Sequence, residues 1–296
     1  MKSGTISIVG RPNVGKSTLL NQILNKKIAI TSNKAQTTRN IILGVYNDND
    51  SQIVIVDTPG IHKPKHKLGN LLNKKAYTMT NDVDLILFIV DIEKGIGKGD
   101  KFILDRLKEE DKKVILLLNK IDRINKFDLL KKIDEVKDLY NFEEIIPVSA
   151  LKGLNIEELI KTIKKYLPND FCYYDKDFVT NQPKSLIITE RVREKILKLT
   201  NDEVPHSVTC VLETFSESDK LMEIGVLIIV DRDNLKKIII GKNGQMLKAI
   251  GTEARLDLEE YFGKKIYLEL FVKTIKNWRD RENHITELGL KNDLIE

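Results

Sequence analysis

The sequence predicts an α/β domain on a mostly parallel sheet over residues 1–168, a linker over 169–183, and a smaller α+β domain over 184–296. Three observations predict this. Short apolar runs alternate with amphipathic ones through residue 167, the pattern of strands connected through helices into a parallel sheet. That periodicity stops in PNDFCYYDKDFVTNQP, bounded by Pro168 and Pro183, where two prolines and a polar, aperiodic run mark a connection. Beyond it the elements follow a different order, with a helix first and two strands in succession.

In chain order, TISIV, SQIVIVD, DLILFIV, KVILLLN and EIIPVS read as strands, short enough and apolar enough to be buried. Between them, DKFILDRLKEE and FDLLKKIDEVKDLY carry helical spacing. Asn155, with Glu158 three residues on, predicts a capping box that starts the helix IEELIKTIKKYL, and Pro168 ends it. In the second half the expected order is helix LIITERVREKILKLT, strands SVTCVLETF and LMEIGVLIIVD, and a short helix NLKKIII. Then come the loop GKNG, a longer helix QMLKAIGTEARLDLEEYF, a strand KIYLELFV, and a tail from Lys273 that ends in a helix.

Composition excludes several classes. The chain of 296 residues is long enough for two cores, and 31% charged residues fit a soluble globular protein. No apolar run approaches the ~20 residues of a spanning helix. The N-terminus MKSGT enters a strand at once, so no targeting peptide is expected ahead of it. Cys172 and Cys210 lie far apart without metal-ligand spacing, which predicts a reducing, cytoplasmic setting. The net charge of +5 is local: residues 1–182 hold 30 Lys and Arg against 24 Asp and Glu, and residues 183–296 hold 19 against 20. Two stretches are basic and free of acid, Thr58 to Asn81 and Asn234 to Gly251.

The stretch GRPNVGKS, Gly10 to Ser17, stands between a predicted strand and a predicted helix. Glycines let a backbone wrap an anion with its N–H groups turned inward, and a helix N-terminus favours negative charge. Gly10, Arg11, Pro12, Asn13, Val14, Gly15, Lys16, Ser17 and Thr18 are therefore candidate phosphate-binding residues. In this pattern the lysine reaches the β- and γ-phosphates and the serine hydroxyl holds Mg²⁺. DTPG, Asp57 to Gly60, ends the next predicted strand. Its carboxylate suits Mg²⁺, and Gly60, with Thr58, Pro59 and Ile61, suits a sensor of the γ-phosphate. In KAQTTRN, Thr38 is the first choice to close over Mg²⁺ and Thr37 the second.

NKID, Asn119, Lys120, Ile121 and Asp122, ends a later strand. Guanine presents two adjacent N–H donors where adenine has none, so a placed carboxylate such as Asp122 accepts both and rejects adenine. Ser149, Ala150 and Leu151 end the last strand of the domain, where the Ala150 N–H suits guanine O6. All of these stretches stand in order at strand C-terminal ends, the ligand edge of an open α/β sheet.

The set GRPNVGKS, QTTR, DTPG, NKID and SAL resembles the translation-factor-like small GTPases, and QTTR followed by DTPGIHKPKHKLG is similar to the Era family. The resemblance covers nearly the whole chain. It implies a P-loop GTPase domain that binds and hydrolyses GTP with Mg²⁺, with Lys16, Thr38, Gly60 and Asn13 as the catalytic set. It further implies a KH domain in the bacterial arrangement. GKNG departs from the GKGG frequent in the family but keeps both outer glycines. A G-x-x-G loop between helices clamps about four nucleotides of a single strand. Lys236, Lys237, Gly241, Lys242, Asn243, Gly244 and Lys248 are the candidate RNA contacts, with Ile238 to Ile240, Met246, Leu247 and Ile250 forming a groove for bases as well as core.

By resemblance, the partner is 16S ribosomal RNA near its 3′ end within the 30S subunit, the role is maturation of that subunit, and the protein is a cytoplasmic monomer with peripheral contact to the membrane. GTP is expected to order loops 32–40 and 58–75. The residue after Gly60 is Ile61, which cannot orient water as the glutamine of many GTPases does. Asn13 matches the position that in related GTPases holds a potassium ion beside the phosphates. An alternative reading is an RNA-binding assembly factor in which GTP is structural and barely hydrolysed. A tRNA-modifying GTPase is disfavoured, because that reading has no place for a KH module.

Overall fold

Burial on both faces explains why the strands read as continuous apolar runs. The computed structural model describes all residues except Ala35, His62, Lys63, Lys65, Glu110, Asp111, Asn169, Asp170, Asp202 and 291–296. Parts of the expected loops 32–40 and 58–75, of the linker and of the tail thus lie outside the described residues. Contacts divide the chain into two compact units. One comprises Met1–Thr31, Thr38–Lys65 and Gly69–Asn181; the other comprises Ser32–Thr37, His66–Leu68 and Gln182–Glu296.

The first unit runs β1 (Lys2–Val9), α1 (Lys16–Leu24), β2 (Ile42–Asn47), β3 (Ser51–Asp57), α2 (Lys67–Asn81), β4 (Leu85–Asp91), α3 (Lys98–Leu107), β5 (Val114–Asn119), α4 (Lys126–Val136), β6 (Glu144–Val148) and α5 (Ile156–Tyr166). The strands order as β2-β3-β1-β4-β5-β6. Only the β2–β3 pair is antiparallel. Every residue of β3 and β4 is buried. On one face Leu19, Leu20 and Ile23 of α1 and Leu159 and Ile163 of α5 pack against Ile6, Ile8, Ile53 and Ile55. On the other, Ala76 of α2, Ile103, Leu104 and Leu107 of α3 and Val136 of α4 pack against Phe88, Leu116 and Leu118. The phosphate loop follows β1, which lies between β3 and β4. Connections leave in opposite directions there, so the crevice opens at that strand's end.

Three expectations are corrected. Strand β2 was not anticipated. Its Gly44 interrupts the apolar run, yet a Cβ there would lie 2.6 Å from Leu24 Cδ1, so the glycine lets the α1 side chains pack closely on the strand. Asn155 does not form a capping box: it is left-handed at φ 61, makes no side-chain cap, and donates its amide to the Pro147 carbonyl at 2.8 Å. Residues from Lys67 onward belong to α2, so 58–75 is not loop throughout.

Residues 171–180, although aperiodic, cover the open edge of β2. Val45 N–H donates to Val179 at 2.8 Å, and Thr180 Oγ1 donates to the Leu43 carbonyl at 2.7 Å. The stacked rings of Tyr174 and Phe178 pack on Leu43, Val45 and Val54. The Gln52 amide accepts from Tyr173 and Tyr174 N–H and donates to the Tyr174 carbonyl. An edge strand left bare would template pairing with another chain, and this strap removes that hazard.

The second unit holds α6 (Lys184–Leu199), α7 (Val204–Ser207), β7 (Val208–Glu217), β8 (Leu221–Val230), α8 (Asp233–Ile240), α9 (Gln245–Phe262), β9 (Lys265–Thr274) and α10 (Glu282–Glu287). β8 is central, antiparallel to β7 and parallel to β9. Ile188, Val192 and Ile196 of α6 and Ile250, Ala254 and Leu258 of α9 bury their stripes on Val226, Ile228 and Val230. Beside this core, Asp257 accepts from Arg191 and Lys195, both at 2.8 Å, which satisfies charges that would be costly to bury alone. Within this unit, the Thr37 carbonyl accepts from the buried Arg193 guanidinium.

Trp278, the only tryptophan, is fully buried and donates Nε1–H to the Ser207 carbonyl at 3.1 Å. Trp278→Ala should therefore destabilise the second unit by about 3–5 kcal/mol, the range for truncating a large core aromatic. Urea unfolding followed by circular dichroism checks this. In the parent protein, tryptophan emission should report the unfolding of this unit alone.

Candidate nucleotide site and nucleic-acid groove

The phosphate loop is shaped by backbone before any side chain acts. Gly15 has φ +108, and a Cβ there would lie 2.2 Å from the Asn119 amide nitrogen, so both conformation and space require glycine. Asn13 is left-handed at φ 65. α1 opens at Lys16, with Leu19 N–H closing the first helical bond to the Gly15 carbonyl. Its first turn therefore presents N–H groups that the helix itself does not use. Thr18 is half-buried on this turn. Lys16 is buried and its amine donates to the Gly10 and Arg11 carbonyls at 3.3 and 3.1 Å. Burial pushes the Lys16 pKa down, and the Asp57 carboxylate opposes that shift. Pro12 backs onto Gly60, and Ile61 N–H donates to the Gly10 carbonyl at 3.3 Å.

Ser17, Thr38 and Asp57 come from three separate segments and meet. Ser17 Oγ donates to Asp57 Oδ2 at 2.6 Å and lies 2.7 Å from Thr38 Oγ1. Thr37 Oγ1 instead donates to the Lys34 carbonyl at 2.6 Å, so of the two threonines it is Thr38 that joins the cluster. Asp57 is fully buried, and its Oδ1 has no hydrogen-bond partner among the described residues. Two hydroxyls and a carboxylate with a buried, unsatisfied oxygen form a hard oxygen donor set, which suits a small divalent cation that completes its shell with water and phosphate. Thr58 plays a structural part, its hydroxyl donating to the Ile8 carbonyl at 3.0 Å. Ile61 is buried in the apolar cluster beside Val9 and Val90; it has no polar group to offer water.

At the far side of the crevice, the Asn119 amide joins two loops. Its Nδ2 donates to the Val14 carbonyl at 2.7 Å, and its Oδ1 accepts from Ala150 N–H at 2.9 Å. The Ala150 amide, expected to face the base, is thus engaged with Asn119 in this structure. Asp122 Oδ1 accepts from Ser149 Oγ at 2.5 Å. Lys120, left-handed at φ 71, donates to the Asn13 carbonyl at 3.0 Å and pairs with Asp91 at 2.6 Å. Beside these groups Ile121 is half-buried and Leu151 is exposed to solvent. Asp91 was missed from sequence, although it too ends a strand on the ligand edge. Asp100 was also missed: it holds the Arg11 guanidinium at 2.7 Å and accepts from Gly97 N–H.

In the second unit, α8 ends at Gly241 (φ 71, ψ 176), where a Cβ would lie 2.7 Å from Met246 Cβ. Asn243 is left-handed at φ 50, a conformation that asparagine tolerates better than most residues; this accounts for the departure from a central glycine. A groove of about 420 Å³ runs beside the loop, lined by Gly244, Leu247, Lys248, Gly251, Thr252, Arg255, Leu268 and Leu270. Its floor differs from the expectation. Ile239 and Ile250 are fully buried core, Ile238 is exposed, and the far wall comes from β9. Lys242 and Lys248 are exposed at the loop and groove; Lys237 is exposed on α8 and Lys236 is half-buried there. Arg255, Leu268 and Leu270 were missed because the groove joins segments distant in sequence.

Burial pushes the Asp57 carboxyl up to about 6. Because this exceeds its unfolded value, the folded, cation-free protein binds the extra proton and loses stability as pH rises from about 4 through 6. Cation affinity at the cluster has the opposite dependence: it should be flat above pH ~6 and fall about tenfold per unit below, as the proton competes. Asp57→Asn should abolish that dependence and raise the cation-free melting temperature at pH 7. Calorimetry across pH 5–8, with and without Mg²⁺, checks both signs.

Residues 5–120 match the family described as 50S ribosome-binding GTPase, and residues 203–279 match the KH domain. The chain is 45% identical to the GTPase Era of Staphylococcus haemolyticus over 293 residues, which cover 99% of this chain and 98% of the relative. A crystal structure of a variant of Aquifex aeolicus Era bound to GDP·AlF4⁻ is 44% identical, with a TM-score of 0.95, covering 98% of this chain and 99% of that one. An Era complex with MgGDPNP and nucleotides 1506–1542 of 16S ribosomal RNA matches with the same identity, score and coverage. With strand-end motifs, KH topology and near full-length identity in agreement, the chain belongs to the Era family of GTPases.

Proposed function

We propose that this protein is a GTP-hydrolysing switch that binds 16S ribosomal RNA near its 3′ end and acts in assembly of the 30S subunit. The observation that carries the nucleotide half is the convergence of Ser17, Thr38 and Asp57 beside the Lys16 amine. In this reading the loop amides and Lys16 hold the β- and γ-phosphates. Water attacks the γ-phosphorus, the bond to the β–γ bridging oxygen breaks, and GDP and phosphate leave. Mg²⁺, held by Ser17, Thr38 and Asp57, would supply positive charge at the phosphates. Gly60 would sense the γ-phosphate through its backbone, and Thr38 would close the site. Ile61 orients no water, so the attacking water must be placed by backbone, by other loop residues or by something not in the chain.

Positive charge near the bridging oxygen lowers the barrier. Arg11 is committed to Asp100, which supports the reading of a potassium ion beside Asn13 as the source of that charge. A nucleotide signal has a short route to the second half. Thr38 compacts with the first unit, and Ser32–Thr37 compact with the second. Ordering of Thr38 on GTP would thus pull on residues that belong with the RNA-binding half.

The RNA half rests on the basic, exposed GKNG loop beside an apolar groove of about 420 Å³. Small residues at Gly244 and Gly251 keep the helix side of the groove low, so bases can stack on Leu247, Leu268 and Leu270 while Lys242 and Lys248 meet phosphate. The related complex with 16S RNA nucleotides supports the choice of partner. We place the protein in the cytoplasm as a monomer, where ribosomal RNA is met. No helix among the described residues is long and apolar enough to cross a membrane, so any membrane contact would be peripheral, through lysines. The related GDP·AlF4⁻ complex, a mimic of phosphoryl transfer, favours turnover over a structural role for GTP.

Two experiments test these halves. Asp122→Asn replaces an acceptor-only group by one that donates, so GTP affinity should fall and xanthosine triphosphate affinity should rise until it exceeds that of GTP. A continued preference for GTP would refute the base-site assignment. Single-turnover GTP hydrolysis should be measurable alone and altered by the 3′ segment of 16S RNA. Lys242→Glu with Lys248→Glu should keep the basal rate while RNA affinity falls at least tenfold at 0.1 M salt, because two phosphate contacts become repulsive.

A further inference from the structure

A second cavity opens on the first unit, away from the phosphate loop, with a volume of about 190 Å³. Val90 and Leu118 from adjacent strands form its floor, with Ile92, Val136 and Leu139 around them. Gly95 and Ile96, from the segment between β4 and α3, form one wall. The rim is charged. Lys101 of α3 and Lys132 of α4 both stand at the mouth, with Glu135 4.0 Å from Lys132. Among the described residues, no carboxylate pairs with Lys101. The Lys132 amine lies over the loop wall, 3.1 Å from where a Cβ on Gly95 would be.

We propose that this cavity binds a small carboxylate with an apolar body, and that its occupancy slows nucleotide release. The occupant follows from volume and charge. The cavity is below the ~300 Å³ of a drug-sized pocket, so it admits one ring or branched chain. Apolar walls take that body, and two ammonium groups at the rim against one carboxylate take an anionic head. Coupling follows from the loop wall. The other side of the 95–100 segment grips Arg11 of the phosphate loop. Asp100 binds the Arg11 guanidinium at 2.7 Å, and the Gly95 carbonyl accepts from it at 3.4 Å. Gly99 packs so close that a Cβ there would lie 2.8 Å from Arg11 Cδ. A molecule seated on Gly95 and Ile96 stiffens the segment that clasps Arg11, and the phosphate loop opens less often. The site itself does not depend on the reading of GTP and RNA function; only the release readout does.

The test uses the full chain with Mg²⁺ and GDP, and 3-phenylpropanoate as probe. Methyl NMR should show saturable shifts at Ile92, Ile96, Leu118 and Val136. The neutral 3-phenylpropanol should bind at least tenfold more weakly. Lys101→Glu, at an exposed position, with Lys132→Glu, half-buried at the rim, should abolish binding of the acid. Saturating acid should slow release of a fluorescent GDP at least threefold. Arg11→Ala should keep the methyl shifts but lose the effect on release. Absence of saturable shifts, or equal affinity for acid and alcohol, would overturn the site. Binding with an unchanged release rate would overturn the coupling. Failure of nucleotide binding would leave the methyl shifts readable, so it is distinguishable from failure of this proposal.

Discussion

The buried carboxylate of Asp57 is the constraint on which the rest of the nucleotide site depends. Burial raises its pKa to about 6, and only one of its oxygens is satisfied by protein. Such a group is costly in isolation. Ser17 from the first helix and Thr38 from a long connection converge on it, and its remaining oxygen is left for the cation proposed above. The parallel sheet makes the convergence possible. Strands β1 and β3 lie side by side in register from Lys2 with Ser51 to Ile8 with Asp57, so the ends of both arrive at the same edge.

The other side of the crevice is organised by hydrogen bonds that join loops, with one ion pair among them. Asn119 ties the phosphate loop at Val14 to Ala150, and Lys120 ties Asn13 to Asp91. These contacts run sideways along the sheet edge and leave Asp122 to Ser149. One half of the crevice therefore responds to charge, through Asp57, Lys16 and Thr38. The other is a frame of contacts between strand-end loops.

Much of this was legible because the chemistry sits in short contiguous stretches at strand ends. Ser17, Asp57, Asn119 and Asp122 could be named from spacing because a strand's end and the following turn are local in sequence. The elements that were not legible depended on packing. Gly44 reads as a break in an apolar run, and only the approach of Leu24 shows why a strand passes through it. Asn155 and Glu158 have capping-box spacing, but the turn before α5 puts Asn155 in a left-handed conformation and turns its amide to Pro147. Asp100 takes its part in the site from Arg11, 89 residues away in sequence, which spacing along the chain does not reveal. The same holds for the groove, whose wall at Leu268 and Leu270 belongs to a strand that the GKNG loop does not predict.

On the function proposed above, nucleotide state would govern RNA binding through the connection that contains Thr38. The most direct measurement is the affinity of the full chain for a 3′ fragment of 16S RNA, at one salt concentration, with Mg²⁺GDP and with a non-hydrolysable Mg²⁺GTP analogue. At least a tenfold difference between the two states is expected, reduced to none in Thr38→Ala. Equal affinities in the parent protein, or a difference that survives Thr38→Ala undiminished, would contradict it.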